Sequence, residues 1–176
     1  MRTVGGLTYA VVKRNLLPYG EPLPYGDPMI CVFCAIVAGD APAVRIYEDD
    51  DYLAFLDIRP FARGHTLVIP KAHFENLVDT PAELVAGISR IGQRIAQASR
   101  ESGLHADGNN IAINDGRAAF QSVFHIHLHV VPRQSGDKLA FAKGMLLRRD
   151  PDREATGRLL RDAVARLADP QADLNP

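Results

Sequence analysis

Residues 123–131 read VFHIHLHVV, with histidine at 125, 127 and 129 and apolar residues at 126, 128 and 130. Side chains repeat every second residue only in a β-strand, so this run is expected to be a strand with two unlike faces. One face carries three imidazoles, each ~7 Å from the next. The other carries Ile126, Leu128 and Val130, and it needs helices or a second sheet to cover it. A merely wet sheet face would favour Thr or Val by β-propensity. A histidine row points instead to chemistry. It suits a metal site with several imidazole ligands, or nucleophilic and acid–base work by imidazole itself.

The rest of the chain offers the cover. TPAE, residues 80–83, reads as a capping box with Thr80 as N-cap, Pro81 at the first helical position and Glu83 reaching back. Leu84, Ile88, Ile91 and Ile95 follow at helical spacing, and Gly103 is expected to close the helix. A second helix is predicted over about 152–168, with Leu159, Leu160, Val164 and Leu167 on one side. Strands are predicted at 43–49, 52–57, 65–70 and 109–114, with the first two forming a hairpin across an acidic link and Pro132 ending the histidine strand. A short helical turn after Cys31 is expected to end at Gly39–Asp40. Mostly antiparallel strands with helices set apart imply an α+β fold. Three regions are expected: an irregular, proline-rich arm at 1–30 with one strand at 7–13, a core domain at 31–140, and an extension with a helix at 141–176. Met29 is a second possible start for the core domain.

A length of 176 residues with 47% hydrophobic composition suits one domain with a real core. The net charge of −1 gives no global attraction to nucleic acid, and no apolar run approaches the ~18 residues that span a membrane. The N-terminus does not read as a secretory signal, so a cytoplasmic location is expected. The only two cysteines stand as C-x-x-C at 31 and 34. That spacing fits a redox pair, half a zinc site or two buried thiols.

The text around the histidines narrows their use. Gln121 and Ser122 stand at the strand entrance, and INDG at 113–116 ends a strand and turns. Such groups suit an anion pocket. A cupin-type metal site would need a carboxylate soon after the histidines, and VVPRQSG at 130–136 has none.

HIHLHVV resembles the His-x-His-x-His-x-x signature of the histidine triad (HIT) nucleotide hydrolases and transferases. Residues 52–77 and 114–133 resemble that family's other characteristic blocks, in the same order. The likeness covers about residues 31–133. It implies a HIT-like fold: an antiparallel sheet of about five strands, one long helix and a C-terminal helix. It also implies a nucleophile at His127 that attacks the α-phosphate of a purine nucleotide and forms a nucleotidyl-histidine. The chemistry is sound, since imidazole is a good nucleophile at neutral pH and a phospho-imidazole bond is labile. By the same resemblance, His129 assists with charge and protons, and Ser122, Asn114 and Gln121 contact the phosphate or leaving group. His65 is implied to hydrogen-bond the far nitrogen of His127. Asp57 is implied to grip the ribose, and Phe33, Ile36 and Ile46, with Phe55, to wall the base pocket. Substrates implied are dinucleoside polyphosphates or nucleoside phosphoramidates.

In having a Cys-x-x-Cys near the domain start the chain resembles several bacterial members of the family that bind zinc. Carried over, the ligands are Cys31, Cys34, His73 and His125, a closed and therefore structural Cys2His2 set. The family's habit of pairing subunits implies a homodimer. Two departures matter. Phe120 stands where the family commonly has glycine, and Arg133 after the triad is a candidate partner for extra phosphates. Two rivals to the enzyme reading are a non-catalytic purine-nucleotide-binding signalling module and a metalloenzyme that uses the triad directly.

Overall fold

The computed structural model describes residues 2–4, 7–9, 31–147 and 150–167. Two short strands, β1 (Arg2–Val4) and β2 (Leu7–Tyr9), pair antiparallel. Helix α1 (Val32–Ala38) follows and ends at Gly39, whose φ of 86° provides the left-handed cap the sequence anticipated. Strands β3 (Arg45–Glu48), β4 (Tyr52–Leu56) and β5 (Thr66–Pro70) precede the long α2 (Ala82–Glu101). Then come β6 (Gly108–Ile113), a single 3-10 turn at Arg117–Ala119, β7 (Leu128–Arg133), α3 (Lys138–Leu147) and α4 (Arg153–Arg166). The main sheet has the order β3-β4-β5-β7-β6, and every pairing is antiparallel. The α+β expectation and the five-stranded sheet are both realised.

Alternation decides which residues go where. Val44, Ile46, Ala54, Leu56, Val68, Leu128 and Val130 face α2 and α4, where Leu84, Ile88, Ile95 and Leu160 are almost fully buried. The opposite face carries Leu53, Phe55, Leu67 and Ile69 and is covered by Phe33 and Ile36 of α1. His129 is the cross-strand partner of Leu67, and directly opposed residues share a face, so His129 lies on this second side. Gly87 lets α2 approach the sheet. A Cβ there would stand 1.9 Å from the Tyr52 hydroxyl.

Several boundaries differ from expectation. Thr80 does not cap α2. Its hydroxyl donates to the Asn76 carbonyl at 2.6 Å, and Pro81 occupies the N-cap with no side-chain bond. Helix α2 stops at Glu101 with an extended Ser102, before Gly103. Pro132 does not end β7, which continues to Arg133, because residue 132 pairs with Asn109 at the register without requiring its missing N–H. The strand also begins late. Residues 123–127 are irregular, so only His129 of the three histidines stands on the regular ladder. Helix α3 was not foreseen, because its apolar residues follow no single stripe. It docks closely on the loop before β5: a Cβ at Gly144 would lie 1.9 Å from the Phe61 carbonyl oxygen. Of the strand expected at 7–13, residues 10–13 lie outside the described residues.

Candidate functional site

Each of the three histidines has its own hydrogen-bonding environment. His125 is fully buried, and its Nε2 lies 2.9 Å from the Pro70 carbonyl oxygen. A carbonyl can only accept, so Nε2 carries the proton and Nδ1 presents a lone pair. That lone pair faces sulfur, with Cys31 Sγ at 3.5 Å and Cys34 Sγ at 3.6 Å. His73 brings its own Nδ1 to 3.2 Å from Cys34 Sγ. All four ligand atoms lie within 4.8 Å of one another. A tetrahedral zinc with bonds of about 2.3 Å to sulfur and about 2.0 Å to nitrogen separates its sulfur and nitrogen ligands by about 3.5 Å. The donor set and spacing therefore fit such an ion. Of the two sulfurs, Cys31 is the ready thiolate, and Cys34 would give up its proton on binding an ion. A hydrogen bond from the Cys34 thiol holds Cys31 far below the ordinary thiol range, and the same bond pushes Cys34 up. The four residues come from the N-cap and first turn of α1, the loop after β5 and the irregular lead into β7.

His127 has a different partner. Its Nδ1 lies 2.7 Å from the backbone oxygen of His125, so Nδ1 carries the proton and Nε2 the lone pair. Burial draws its pKa below the ordinary histidine value. The ring is neutral at neutral pH, with an unprotonated nitrogen. Phe33 packs edge-on to it at 5.3 Å between centroids.

His129 closes a chain of bonds. The Phe61 N–H donates to His65 Nδ1 at 3.2 Å, which leaves the His65 proton on Nε2. That proton points to His129 Nδ1 at 2.9 Å. His129 therefore carries its proton on Nε2, a buried atom with no hydrogen-bond partner among the described residues. Burial, then the charges of His127 and His65, pull His129 down to about 3. The arrangement is a neutral ring with an unused donor, set 4.8 Å between centroids from His127. An unsatisfied buried donor is costly unless something fills it.

This corrects one expectation: His65 does not reach His127. It bonds to His129, because the irregular turn at 125–127 gives the His127 far nitrogen to a backbone carbonyl instead. Gln121 is a second correction. It is buried; its Oε1 accepts from the Gly116 N–H, and its Nε2 donates to the carbonyls of Glu75 and Val123. Both amide hydrogens are used, so Gln121 braces the loop rather than binding phosphate. Ser122 is exposed and Asn114 half-buried, and neither side chain hydrogen-bonds another described residue. Ile46 is a third correction. It points to the α2–α4 face, where a Cβ on Gly157 would lie 3.7 Å from its Cδ1. Phe33, Ile36 and Phe55 do lie on the histidine side. Arg133 is also engaged elsewhere. Its Nε meets Asp137 at 2.8 Å, its Nη1 meets Asn110 at 2.6 Å, and its guanidinium lies over Phe141. Asp57 follows β4 beside the site. One oxygen accepts from the Arg59 N–H at 2.8 Å, and the other stands 3.5 Å from His65 Nδ1.

Two participants had no signal in the sequence. Phe61 stacks on His65 at 5.0 Å and fixes its tautomer through the backbone. Pro70 contributes only its carbonyl. Neither role depends on a side-chain type that spacing would reveal. Phe120 adopts φ 66°, the left-handed region in which glycine is unstrained, and its ring is 87% exposed.

Comparison with known proteins agrees with this geometry. A family model described as HIT domain matches residues 38–136. An uncharacterized HIT-like protein of Mycobacterium tuberculosis (strain ATCC 25618 / H37Rv) is 69% identical over 137 residues, covering 78% of this chain and 94% of that protein. The crystal structure of a zinc-bound histidine triad family protein from Mycobacterium smegmatis superposes with a TM-score of 0.72 at 69% identity, covering 84% of this chain and 99% of that one. An adenylylsulfatase of Arabidopsis thaliana, HINT3, is 40% identical over 109 residues, covering 62% of this chain and 55% of that protein.

Proposed function

The chain belongs to the histidine triad (HIT) family, and from that premise we propose that it is a nucleotidyl hydrolase or transferase acting at the α-phosphate of an adenosine nucleotide. The observation that carries this reading is the His127 tautomer: a neutral ring, Nδ1–H engaged at 2.7 Å, Nε2 left as the nucleophile. In the reaction, Nε2 attacks phosphorus, a P–N bond forms and the bond to the leaving group breaks. The leaving group takes up a proton as it departs. Water then attacks the nucleotidyl-histidine and releases the nucleoside monophosphate and a free ring.

His129 contributes its partnerless Nε2–H to a phosphate oxygen, and His65 keeps that tautomer in place. Ser122 and Asn114 contact the phosphate or the leaving group. Asp57 accepts from the ribose hydroxyls, and Phe33 and Ile36 wall the base. The name of the adenylylsulfatase among the relatives supports an adenylyl substrate here. Dinucleoside polyphosphates and nucleoside phosphoramidates offer the same phosphorus centre.

Cys31, Cys34, His73 and His125 hold zinc as a closed structural site. The zinc-bound relative and the ligand spacing support this assignment. Zinc there supplies cross-linking, not a reactive position, because four protein ligands leave no opening. Among the described residues, His127 belongs to neither group that could hold a metal, which leaves its ring free to act as nucleophile; Asp57, His65 and His129 form a second such group, on which a metalloenzyme reading would rest.

The edge strand β6, with Ile111 52% exposed, is assigned to pairing with a second copy in a homodimer. Unpaired thiols suit the cytoplasm, and among the described residues no helix is long and apolar enough to cross a membrane.

The test is brief exposure to an adenosine phosphoramidate followed by mass spectrometry of the protein. One adenylyl adduct on His127 is expected. His127→Ala should lose both adduct and turnover while still binding AMP. Full turnover in that variant would reject the mechanism. AMP binding by the wild type without turnover on any such substrate would favour the signalling-module reading.

A further inference from the structure

We propose that Phe141 and Gly144 of α3 are positioning residues for the His65–His129 pair, acting through Phe61. The inference rests on the proposed reaction at His127. It adds to that reading an element that begins at Lys138, beyond the residues 38–136 matched by the HIT domain model.

Helix α3 is tied to both elements that carry the pair. On one side it is held to β7, the strand of His129. Arg133 at the end of that strand bonds Asp137 at 2.8 Å, just ahead of α3, and its guanidinium lies 3.7 Å from the centre of the Phe141 ring. On the other side α3 meets the loop that leads to His65. Phe141 stands edge-on to Phe61, with 6.4 Å between ring centres. Gly144 lies so close to the Phe61 carbonyl oxygen that a Cβ would come within 1.9 Å of it. Any larger residue there must lift the helix off the loop.

Phe61 passes this contact on. Its ring is stacked on His65 at 5.0 Å and 21° from parallel, and on His129 at 6.4 Å and 24° from parallel. The two imidazoles, joined to each other at 2.9 Å, therefore share one flat neighbour. Phe61, Phe141 and Gly144 also line a cavity of about 480 Å3, together with Leu104, His105 and Pro132. That space gives Phe61 room to move if α3 withdraws. A shift of about 1 Å in a group that meets the reacting phosphate is enough to cost much of the rate.

The experiment compares full-length wild type and variants in two ways. One is kcat and KM on an adenosine phosphoramidate. The other is the position of the carbon-bound ring protons of His65 and His129 in proton–carbon spectra. A stacked aromatic ring shields those protons, so Phe61→Leu should move them downfield. Phe141→Leu and Gly144→Ala change α3 and leave Phe61 and both histidines in place. They should move the same signals in the same direction, with kcat down about tenfold and KM within about twofold. Phe61→Tyr keeps the flat ring, and the cavity has space for its hydroxyl, so signals and kcat should stay near wild type. Leu146→Ala, at a position 85% exposed on the same helix, should change neither. Unchanged kcat in the two α3 variants overturns the proposal. An equal loss in Leu146→Ala also overturns it, because the effect would then be a general loosening. Should Gly144→Ala fail to fold, Phe141→Leu decides alone, since it trims a ring without a clash. Wild-type turnover and the His127 adduct test the nucleotidyl reading separately. Whatever they show, ring signals that stay put in the α3 variants mean that α3 does not place the pair.

Discussion

His129 should make this protein acid-labile in a way that counts a single proton. The residue is 8% exposed, and its folded pKa is drawn from 6.5 to about 3, first by burial and then by His127 and His65. The sign follows directly. Between about 3 and 6.5 the unfolded chain binds a proton at this ring and the folded chain does not. Stability is therefore intact above pH 6.5 and falls as pH drops through that window. One proton is worth about 1.4 kcal/mol per pH unit, so acidification from pH 6.5 to 4.5 removes about 2 to 3 kcal/mol. That is a large share of the roughly 5–15 kcal/mol typical of a domain. The assay is urea unfolding at half-unit pH steps for wild type and His129→Gln. Glutamine does not titrate but can still accept from His65. The difference in stability between the two proteins should shrink by about 2 to 3 kcal/mol over the window, while contributions common to both cancel. A difference that stays flat within about 0.5 kcal/mol would mean that His129 titrates equally in folded and unfolded chains. It would then be a cation near pH 5, and its role as a fixed neutral donor would fail.

Other outcomes follow from single contacts. Gly87→Ala forces a methyl to 1.9 Å from the Tyr52 hydroxyl and should cost about 1–3 kcal/mol in urea unfolding. Gly108→Ala, where a Cβ meets nothing within 4 Å, should be within about 0.5 kcal/mol of wild type; equal losses at both sites would refute the packing argument. Phe120→Gly removes a ring that is 87% exposed and relieves a φ of 66°, so thermal unfolding should shift by no more than about 1 kcal/mol equivalent. A loss well beyond that would show that the ring packs against something. Arg133→Ala breaks the Asp137 and Asn110 bonds and should lower stability without changing preference between short and long polyphosphate substrates. A selective loss on the longer substrate would return Arg133 to phosphate binding.

Much of this molecule could be read from residue order. The stripe Leu84, Ile88, Ile95 predicted which side of α2 meets the core, because burial follows backbone period, whereas β4 and β5 were legible as strands but are buried on both faces. The four metal ligands were also legible, but only through family likeness: C-x-x-C specifies half a site and leaves the partners open. Helix ends were read less well. At Thr80 and Gly103 the local signals were correct in kind, yet competing bonds to Asn76 and an extended Ser102 won.

Sequence by itself determined the identity of the reactive groups and the face on which β7 sets His129. Tertiary structure decided which nitrogen of each ring holds its proton. That choice depends on acceptors and donors far away in the chain: Pro70 for His125, His65 for His129. It depends too on a backbone carbonyl whose direction no side-chain pattern records. Periodicity is a property of neighbours along the chain, whereas a tautomer is a property of neighbours in space.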